Sequence, residues 1–345
     1  MPRKLNYANA VARLLGICFI LLEIPAFAEY PGVEEVLGLL GMDKNQIAEL
    51  AKGQPIAYAL SEGRDDELAA GVVWYLRVPL DKVVGQFRLN NSESLDVDVT
   101  AIGVLTEHAG EDSLASVILP KEDAETLLDA EPGSEFNLSP HEIDSFKTLK
   151  KTLKRTSYRP IGDEVGQHYR KILFQRFSAY QRGGISAIAP YAREDSLFSK
   201  PSLELREAAQ ASAILIRYFP ALSKAWLDYP KTLPSGASEA FFWVEKNVEG
   251  RLATILRHRV NMDWNGGGIV LTREFYAPHS FNASQWITGC LPYRDGTVVF
   301  QQVRSYTDQV TGMASDVKHI VGRELLKDKM LKSFERLYCA LGQCH

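Results

Sequence analysis

Three basic side chains fall where an alternating strand pattern would turn them inward. Successive residues of a strand face opposite sides of a sheet. In Leu252 to Met262, therefore, Thr254, Leu256, His258, Val260 and Met262 share one face, and Arg257, Arg259 and Asn261 share the other. The apolar members make the first face the expected buried one. Ile269, Leu271, Arg273 and Phe275 align in the next run, and Val298, Phe300, Gln302, Arg304 and Tyr306 in a later one. A guanidinium buried without a counter-charge is very costly. Arg273 and Arg304 must then pair with a carboxylate such as Glu245, Glu274 or Asp308, reach water in a cavity, or meet the polar end of a ligand. His258, Arg273 and Arg304, with Tyr276, His279 and Tyr306, form the candidate ligand-binding set.

Acid–base chemistry is the second reading. Tyr276 and His279 close a strand beside Pro278, where loop side chains can be aimed into a pocket mouth, and histidine titrates near neutral pH. Ser280 and Ser284 are the nearby hydroxyls, but no Gly-x-Ser-x-Gly turn is present, so a structural hydrogen bond is the simpler role for His279. No His-Glu-x-x-His, Cys-x-x-Cys or phosphate loop occurs. No metal and no nucleotide cofactor is expected.

These residues need strands and a cover. Asp263 to Gly268 carries the Asn and Gly residues a hairpin needs, and Ala283 to Leu291 and Thr297 to Tyr306 extend an antiparallel meander. Met313 to Tyr338 holds no proline, and Met313, Val317, Ile320, Val321, Leu331, Phe334 and Tyr338 recur at helical spacing. Upstream, Leu68 to Val78 alternates as a strand and Pro79 opens a short helix containing Val83, Val84 and Phe87. Leu95 to Leu105 and Ser113 to Leu119 read as further strands, and Lys121 to Leu128 as a helix. Ser139 with Glu142 makes a capping box, and residues 140–230 are largely helical. The fold class is α+β: an antiparallel sheet wrapped around a long C-terminal helix, with a helical insertion. Strand, proline, short helix, meander and long helix together resemble the helix-grip architecture of the START and Bet v 1 superfamily.

The chain has 345 residues, 46% hydrophobic and 24% charged, with a net charge of −4. No basic excess points to nucleic acid, and the basic run Lys147 to Arg159 reads as a solvated helix face and loop. Arg3, Lys4 and Arg13 precede the apolar Leu14 to Leu22, and Ala26-Phe27-Ala28 has the small-x-small form of a cleavage site. Residues 1–28 read as a signal peptide, since Glu23 and Pro25 leave the run short of the about 20 residues that span a bilayer. Nothing downstream is apolar enough to cross a membrane. Residues 29–345 are then expected to be one periplasmic or secreted domain. In an oxidising compartment Cys339 and Cys344 would close a small loop, with Cys290 as a buried apolar thiol.

Several short motifs carry a further resemblance. They are Tyr180-Gln181-Arg182-Gly183-Gly184, Asp228-Tyr229-Pro230, Phe241-Phe242-Trp243, Phe275 to Ser284, and Arg304-Ser305 with Asp308 to Gly312. Across nearly all of the mature sequence the chain resembles a family of uncharacterised bacterial exported proteins. It departs from that family at Ala130 and Glu135, where relatives often carry cysteines around Pro132-Gly133, and at Pro278 and Asn282. The resemblance implies export and a shared fold and carries no catalytic role. The preferred function is the holding of a hydrophobic molecule, lipid or fatty-acid-like, in an internal cavity. A His279/Tyr276 hydrolase or isomerase and a non-catalytic interaction module are the alternatives.

Overall fold

The computed structural model describes residues 32–88, 95–106, 110–133, 135–154, 161–264 and 266–344. The expected leader, residues 1–28, lies outside them, as do Arg155 and Arg159 of the basic run. The chain opens with α1 (Val33–Leu39) and α2 (Lys44–Leu50), then β1 (Ile56–Ala59), β2 (Glu67–Leu76), α3 (Leu80–Arg88) and β3 (Val99–Leu105). A helical block follows: α4 (Lys121–Leu128), α5 (Pro140–Leu153) and α6 (Ile161–Gly183), the two-residue strands β4 (Tyr191–Ala192) and β5 (Phe198–Ser199), then α7 (Pro201–Gln210), α8 (Ala213–Tyr218) and α9 (Pro220–Leu227). Five long strands and one helix finish it: β6 (Ala237–Val248), β7 (Arg251–Trp264), β8 (Gly267–Tyr276), β9 (Ala283–Tyr293), β10 (Gly296–Tyr306) and α10 (Ser315–Ala340).

The main sheet has the order β1-β2-β10-β9-β8-β7-β6-β3, with every pairing antiparallel. β6 to β10 follow one another as an antiparallel meander, and β10 closes on β2, so the first long strand and the last are neighbours. The helical block leaves from β3 and returns at β6, making it an insertion between two adjacent strands. This is the α+β helix-grip arrangement expected from the sequence, with one strand more: β6, which carries the Phe241-Phe242-Trp243 motif.

Local signals account for most of the elements. Asp43 accepts hydrogen bonds from the backbone N–H groups of Asn45 and Gln46 to cap α2, and the Ser139–Glu142 capping box starts α5. Gly184 follows α6 at φ +60°, where a Cβ would lie 1.8 Å from the carbonyl oxygen of Tyr229, so only glycine fits both the backbone and the space. One expectation changes. Ser113 to Leu119 forms no strand; a 3₁₀ turn at Glu111–Leu114 leads into irregular chain, and Trp243 Nε1 donates to Ser113 O. Leu203 to Leu227 divides into α7, α8 and α9, because Ser212 caps a new helix at Leu215 and Pro220 opens another.

Both faces of the sheet are covered, and this reassigns the strand faces. Ala70, Val72, Trp74 and Leu76 of β2 and Val299 and Val303 of β10 pack against Met330, Phe334 and Leu337 of α10 and Val83 and Val84 of α3. The opposite face, with Leu256, Ile269, Leu271, Phe275, Val298 and Phe300, packs on the insertion and on α1. His258 and Arg273 therefore lie beneath the insertion, not beneath the C-terminal helix. Arg257 and Arg259, expected on an outer face, lie on the α10 side. The helix itself also differs from its sequence reading: Met330, Phe334 and Leu337 are buried, whereas Met313, Val317, Ile320 and Val321 are exposed.

Trp74 stacks on Phe334 and Tyr338, with ring centroids 6.2 and 5.2 Å apart, and anchors the second half of α10. Cys339 and Cys344 form a disulfide just beyond it, and Cys290 is a buried free thiol. Emptying the site of a buried aromatic typically removes about 3–5 kcal/mol. Phe334→Ala should lower the unfolding free energy by that order, while Leu325→Ala on the exposed side should change it by less than about 0.5 kcal/mol. Urea titration of both variants checks which side of α10 is seated.

Candidate functional site

The strand register sets out the α10 face in rows. Arg257 pairs with Glu274 and then Ser284; Arg259 with Thr272 and then Trp286; Asn261 with Val270, Thr288 and then Gln301. The polar members cluster on β7 and β8, and the apolar members toward β10 and β2. Over the junction sit Phe87 of α3, Leu95, and Phe334 and Leu337 of α10. Between this apolar roof and the polar floor lies a cavity of about 100 Å³, bordered by Arg257, Arg259, Val270, Thr272, Thr288 and Gln301. Phe87 and Val270 also border a hollow of about 320 Å³ that reaches Asn261, Met262 and Gly268. Asp96, Trp286 and Ser333 also border a hollow of about 120 Å³ on the side of Lys246 and Glu274. The three lie side by side along the sheet, the first sharing Phe87 and Val270 with the second and Asp96, Trp286 and Ser333 with the third, and together they are called the track.

Charge within the track is organised. Arg257 donates to Glu274 Oε1 from Nε at 2.8 Å and approaches it from Nη2 at 2.6 Å. Lys246 Nζ donates to Asp96 at 2.8 Å, and Ser284 Oγ donates to Glu274. Burial opposes ionisation of both acids, yet Lys246 and Arg257 outweigh it, holding Asp96 at about 2 and Glu274 below the usual carboxylate range. The Arg259 guanidinium lies 5.4 Å from the Phe242 ring centroid. Gln301 Nε2 donates to Thr288 Oγ1 at 3.1 Å, while Gln301 Oε1 and Asn261 Oδ1 are buried without a hydrogen-bond partner among the described residues. Each such orphan acceptor carries a desolvation penalty of about 1–3 kcal/mol unless a donor reaches it. Alternation places Arg257, Arg259 and Asn261 on one face, but that many polar groups make it the expected solvent side, and only the cover supplied by α3 and α10 turns it inward.

The predicted residues lie elsewhere. Arg273 and His258 do meet, through Tyr180. Arg273 Nη1 donates to the Tyr180 hydroxyl at 2.8 Å and Nη2 to Trp226 O at 3.0 Å, with the guanidinium 4.0 Å from the Trp226 ring centroid. The hydroxyl is left to donate to His258 Nδ1 at 2.9 Å, so His258 carries its proton on Nε2 and donates to Glu239 at 2.9 Å. Tyr180 stacks on Phe275 at 4.0 Å and His258 on Phe241 at 4.4 Å. No carboxylate lies within 4 Å of Arg273 among the described residues, and burial, only partly offset by Tyr180, lowers its basicity. The arginine sits in packed aromatic core and satisfies its charge with dipoles and an indole face.

Arg304 is paired. It donates to Glu67 and to Ser61 O, the latter at 3.0 Å, and Tyr306 donates to the same Glu67 oxygen at 3.3 Å. With Gln285, Gln302, Ile287 and Leu39 it borders a separate hollow of about 200 Å³ beneath α1, α7 and α8. His279 accepts or shares a hydrogen bond with Ser280 Oγ at 2.9 Å and contacts Leu252 O through Nε2 at 3.3 Å, and burial lowers its pKa. Tyr276 is buried beneath Arg176, 4.4 Å from its ring centroid, and burial raises its pKa. No hydrogen bond joins Tyr276 to His279 among the described residues.

The Phe275 to Ser284 motif instead latches the insertion to the sheet. Asn137 Nδ2 donates to Ala277 O at 3.0 Å and Phe281 O at 2.9 Å. Arg193 Nη2 bridges Asn137 Oδ1 and Asn282 Oδ1, its Nε reaches Asp308 at 2.6 Å, and Asn282 Nδ2 donates to Glu204 and Asp308. Burial, and then the nearby Asp66 charge, push the Glu204 carboxyl up to about 8.

These two buried groups give opposite pH dependences. His258 falls from 6.5 to about 4, chiefly because burial disfavours its cation. The native state therefore refuses a proton that the unfolded chain takes, and stability present above pH 6.5 is lost toward pH 4, by about 3 kcal/mol. Glu204 does the reverse, and stability present below pH 4.5 is lost as pH rises toward 8. Urea unfolding as a function of pH should show His258→Gln flattening the acid limb and Glu204→Gln, which keeps the shape and removes the charge, raising stability most at pH 8.

No family profile matches the chain, and no curated protein matches it. Among solved structures, Ara h 8.0201 aligns with 30% of this chain and 67% of its own at 10% identity and a TM-score of 0.22. The di-domain ARO/CYC StfQ from the steffimycin biosynthetic pathway aligns with 79% of this chain and 97% of its own at 11% identity and a TM-score of 0.24. The described geometry, not these scores, establishes the sheet with its long C-terminal helix.

Proposed function

We propose that the chain is an exported protein that holds a hydrophobic small molecule in the track between α10 and the sheet, the polar side of the ligand resting on the β7–β8 floor. One observation carries this reading: the track has an apolar roof of Phe87, Leu95, Phe334 and Leu337 above a floor on which Gln301 Oε1 and Asn261 Oδ1 are buried without a donor among the described residues. A ligand hydroxyl or protonated acid would supply that donor, and an acyl chain or ring would occupy the space along Phe87, Val270 and Trp286. Arg257 and Arg259 border the same floor and suit an anionic or carbonyl end. The hollow beside Arg304 offers similar chemistry on the other face and is the secondary place for such a ligand. Export rests on the cationic, apolar and small-x-small order of residues 1–28, and a disulfide at Cys339–Cys344 suits an oxidising compartment.

Organic extraction of the purified chain followed by mass spectrometry should yield a reproducible amphiphile. An anilinonaphthalene sulfonate probe should bind the extracted protein, and Val270→Trp, which fills the track, should weaken the probe about tenfold or more without lowering the melting temperature. An empty extract together with equal probe binding by the two proteins would remove the proposal. Expression in a secreting bacterium should give an intact mass beginning at Glu29; a mature product retaining Met1 would contradict export through this leader.

A further inference from the structure

One straight row of the track's floor crosses four strands. The register sets Asn261 of β7 opposite Val270 of β8, Val270 opposite Thr288 of β9, and Thr288 opposite Gln301 of β10. Cross-strand partners share a face, so these four side chains stand in line on the α10 side. At the two ends, Asn261 and Gln301 each hold a buried amide oxygen with no hydrogen-bond partner among the described residues. Between them stand Val270 and the Thr288 hydroxyl, which already accepts from Gln301 Nε2 at 3.1 Å. Phe87 and Val270 border both the hollow that reaches Gln301 and the one that reaches Asn261. Three strand spacings of about 4.8 Å put the backbones of the two ends about 14 Å apart.

This row asks for more than a polar end. An oxygen acceptor is satisfied only by a donor, so a carboxylate, ester or ether set against either amide oxygen leaves it unpaired and adds repulsion. An ammonium would supply donors but needs a counter-charge when buried. Of the acids bordering the track, Asp96 and Glu274 are held by Lys246 and Arg257, and Asp263 is exposed. A neutral hydroxyl is the group left. Each end lacks one donor, and Val270 with Phe87 makes the middle apolar. A ligand that answers both ends therefore carries two hydroxyls separated by a hydrocarbon span.

We infer that the ligand of this site is a neutral amphiphile of the diol type, lying across the strands with one hydroxyl on Asn261, the other on Gln301, and its hydrocarbon middle beside Phe87. This rests on the ligand-holding reading above and narrows it, since that reading also admits an acid or a carbonyl end. The desolvation that each amide oxygen suffers in the empty protein is relieved at both ends only when both hydroxyls arrive. A fatty acid answers one end at most, and only while protonated.

Displacement of the anilinonaphthalene sulfonate probe from the extracted protein by decane derivatives tests this. Decanediol with a hydroxyl at each end should displace the probe at a concentration about tenfold or more below that of its dimethyl ether, decanedioate or decanediamine. Decanol, with one hydroxyl, should fall between the diol and the diether. Asn261→Leu and Gln301→Met should each remove most of the diol's advantage and leave the diether unchanged. The ligand series is read on the unaltered chain, so it decides the matter whether or not the variants fold. A diether, dicarboxylate or diamine that binds as tightly as the diol overturns the inference. So does a diol no tighter than decanol, or one indifferent to both substitutions. Probe binding that Val270→Trp does not weaken removes the ligand site itself and this inference with it. Probe binding that Val270→Trp weakens, without any preference for the diol, leaves the site and removes the diol alone.

Discussion

A charged side chain on a strand covered on both faces has no route to bulk water, and the middle of this sheet is covered on both faces. Every buried ionisable group on β7 to β10 must find a counter-charge, a dipole or a cavity. The protein uses different solutions within a few residues of one another. Arg257 takes Glu274, Arg304 takes Glu67, Arg273 takes a phenol, a carbonyl and an indole face, and Arg259 lies beside a hollow and over an aromatic ring. The sheet is less a hydrophobic wall than a partition on which polar groups are separately accommodated.

The two covers do different work. Around Arg273 the insertion fills the space on its face with large aromatic groups, and the Arg273–Tyr180–His258–Glu239 chain runs through that packing as a hydrogen-bond line. Polar networks of this kind are stabilising only when each member is satisfied, and they fix one arrangement of the core. On the other face α3 and α10 roof the sheet without filling it. Space remains where the floor is polar and the roof apolar, which is the combination a binding site needs and a folding core avoids. The proposed ligand site is thus a part of the interior that packing left incomplete.

The motif from Phe275 to Ser284 was legible as a distinctive stretch, and its histidine invited a chemical role. Tertiary structure gives it a mechanical one: Asn282, together with Asn137, Arg193, Glu204 and Asp308, ties the insertion to the ends of β8, β9 and β10. The bonds of this latch span 26 to 144 residues along the chain, so no local spacing could have announced them. The buried carboxyl of Glu204 is a by-product of that latch, and its raised pKa comes from burial beside other acids.

Local physics made the elements readable in the residues alone. Alternation gave β2, β7, β8 and β10, the Ser139–Glu142 box gave the start of α5, Pro79 the step from strand to helix, and an uninterrupted helical period the extent of α10. The α+β class and the antiparallel sheet with a terminal helix followed from their order. What the sequence left open was which side of each element met which layer. Alternation assigns residues to two faces but does not say what lies over either one, and an insertion of more than a hundred residues between β3 and β6 supplied a second cover. That cover buried His258 and Arg273 in packed aromatic core and handed the cavity to Arg257, Arg259 and Gln301.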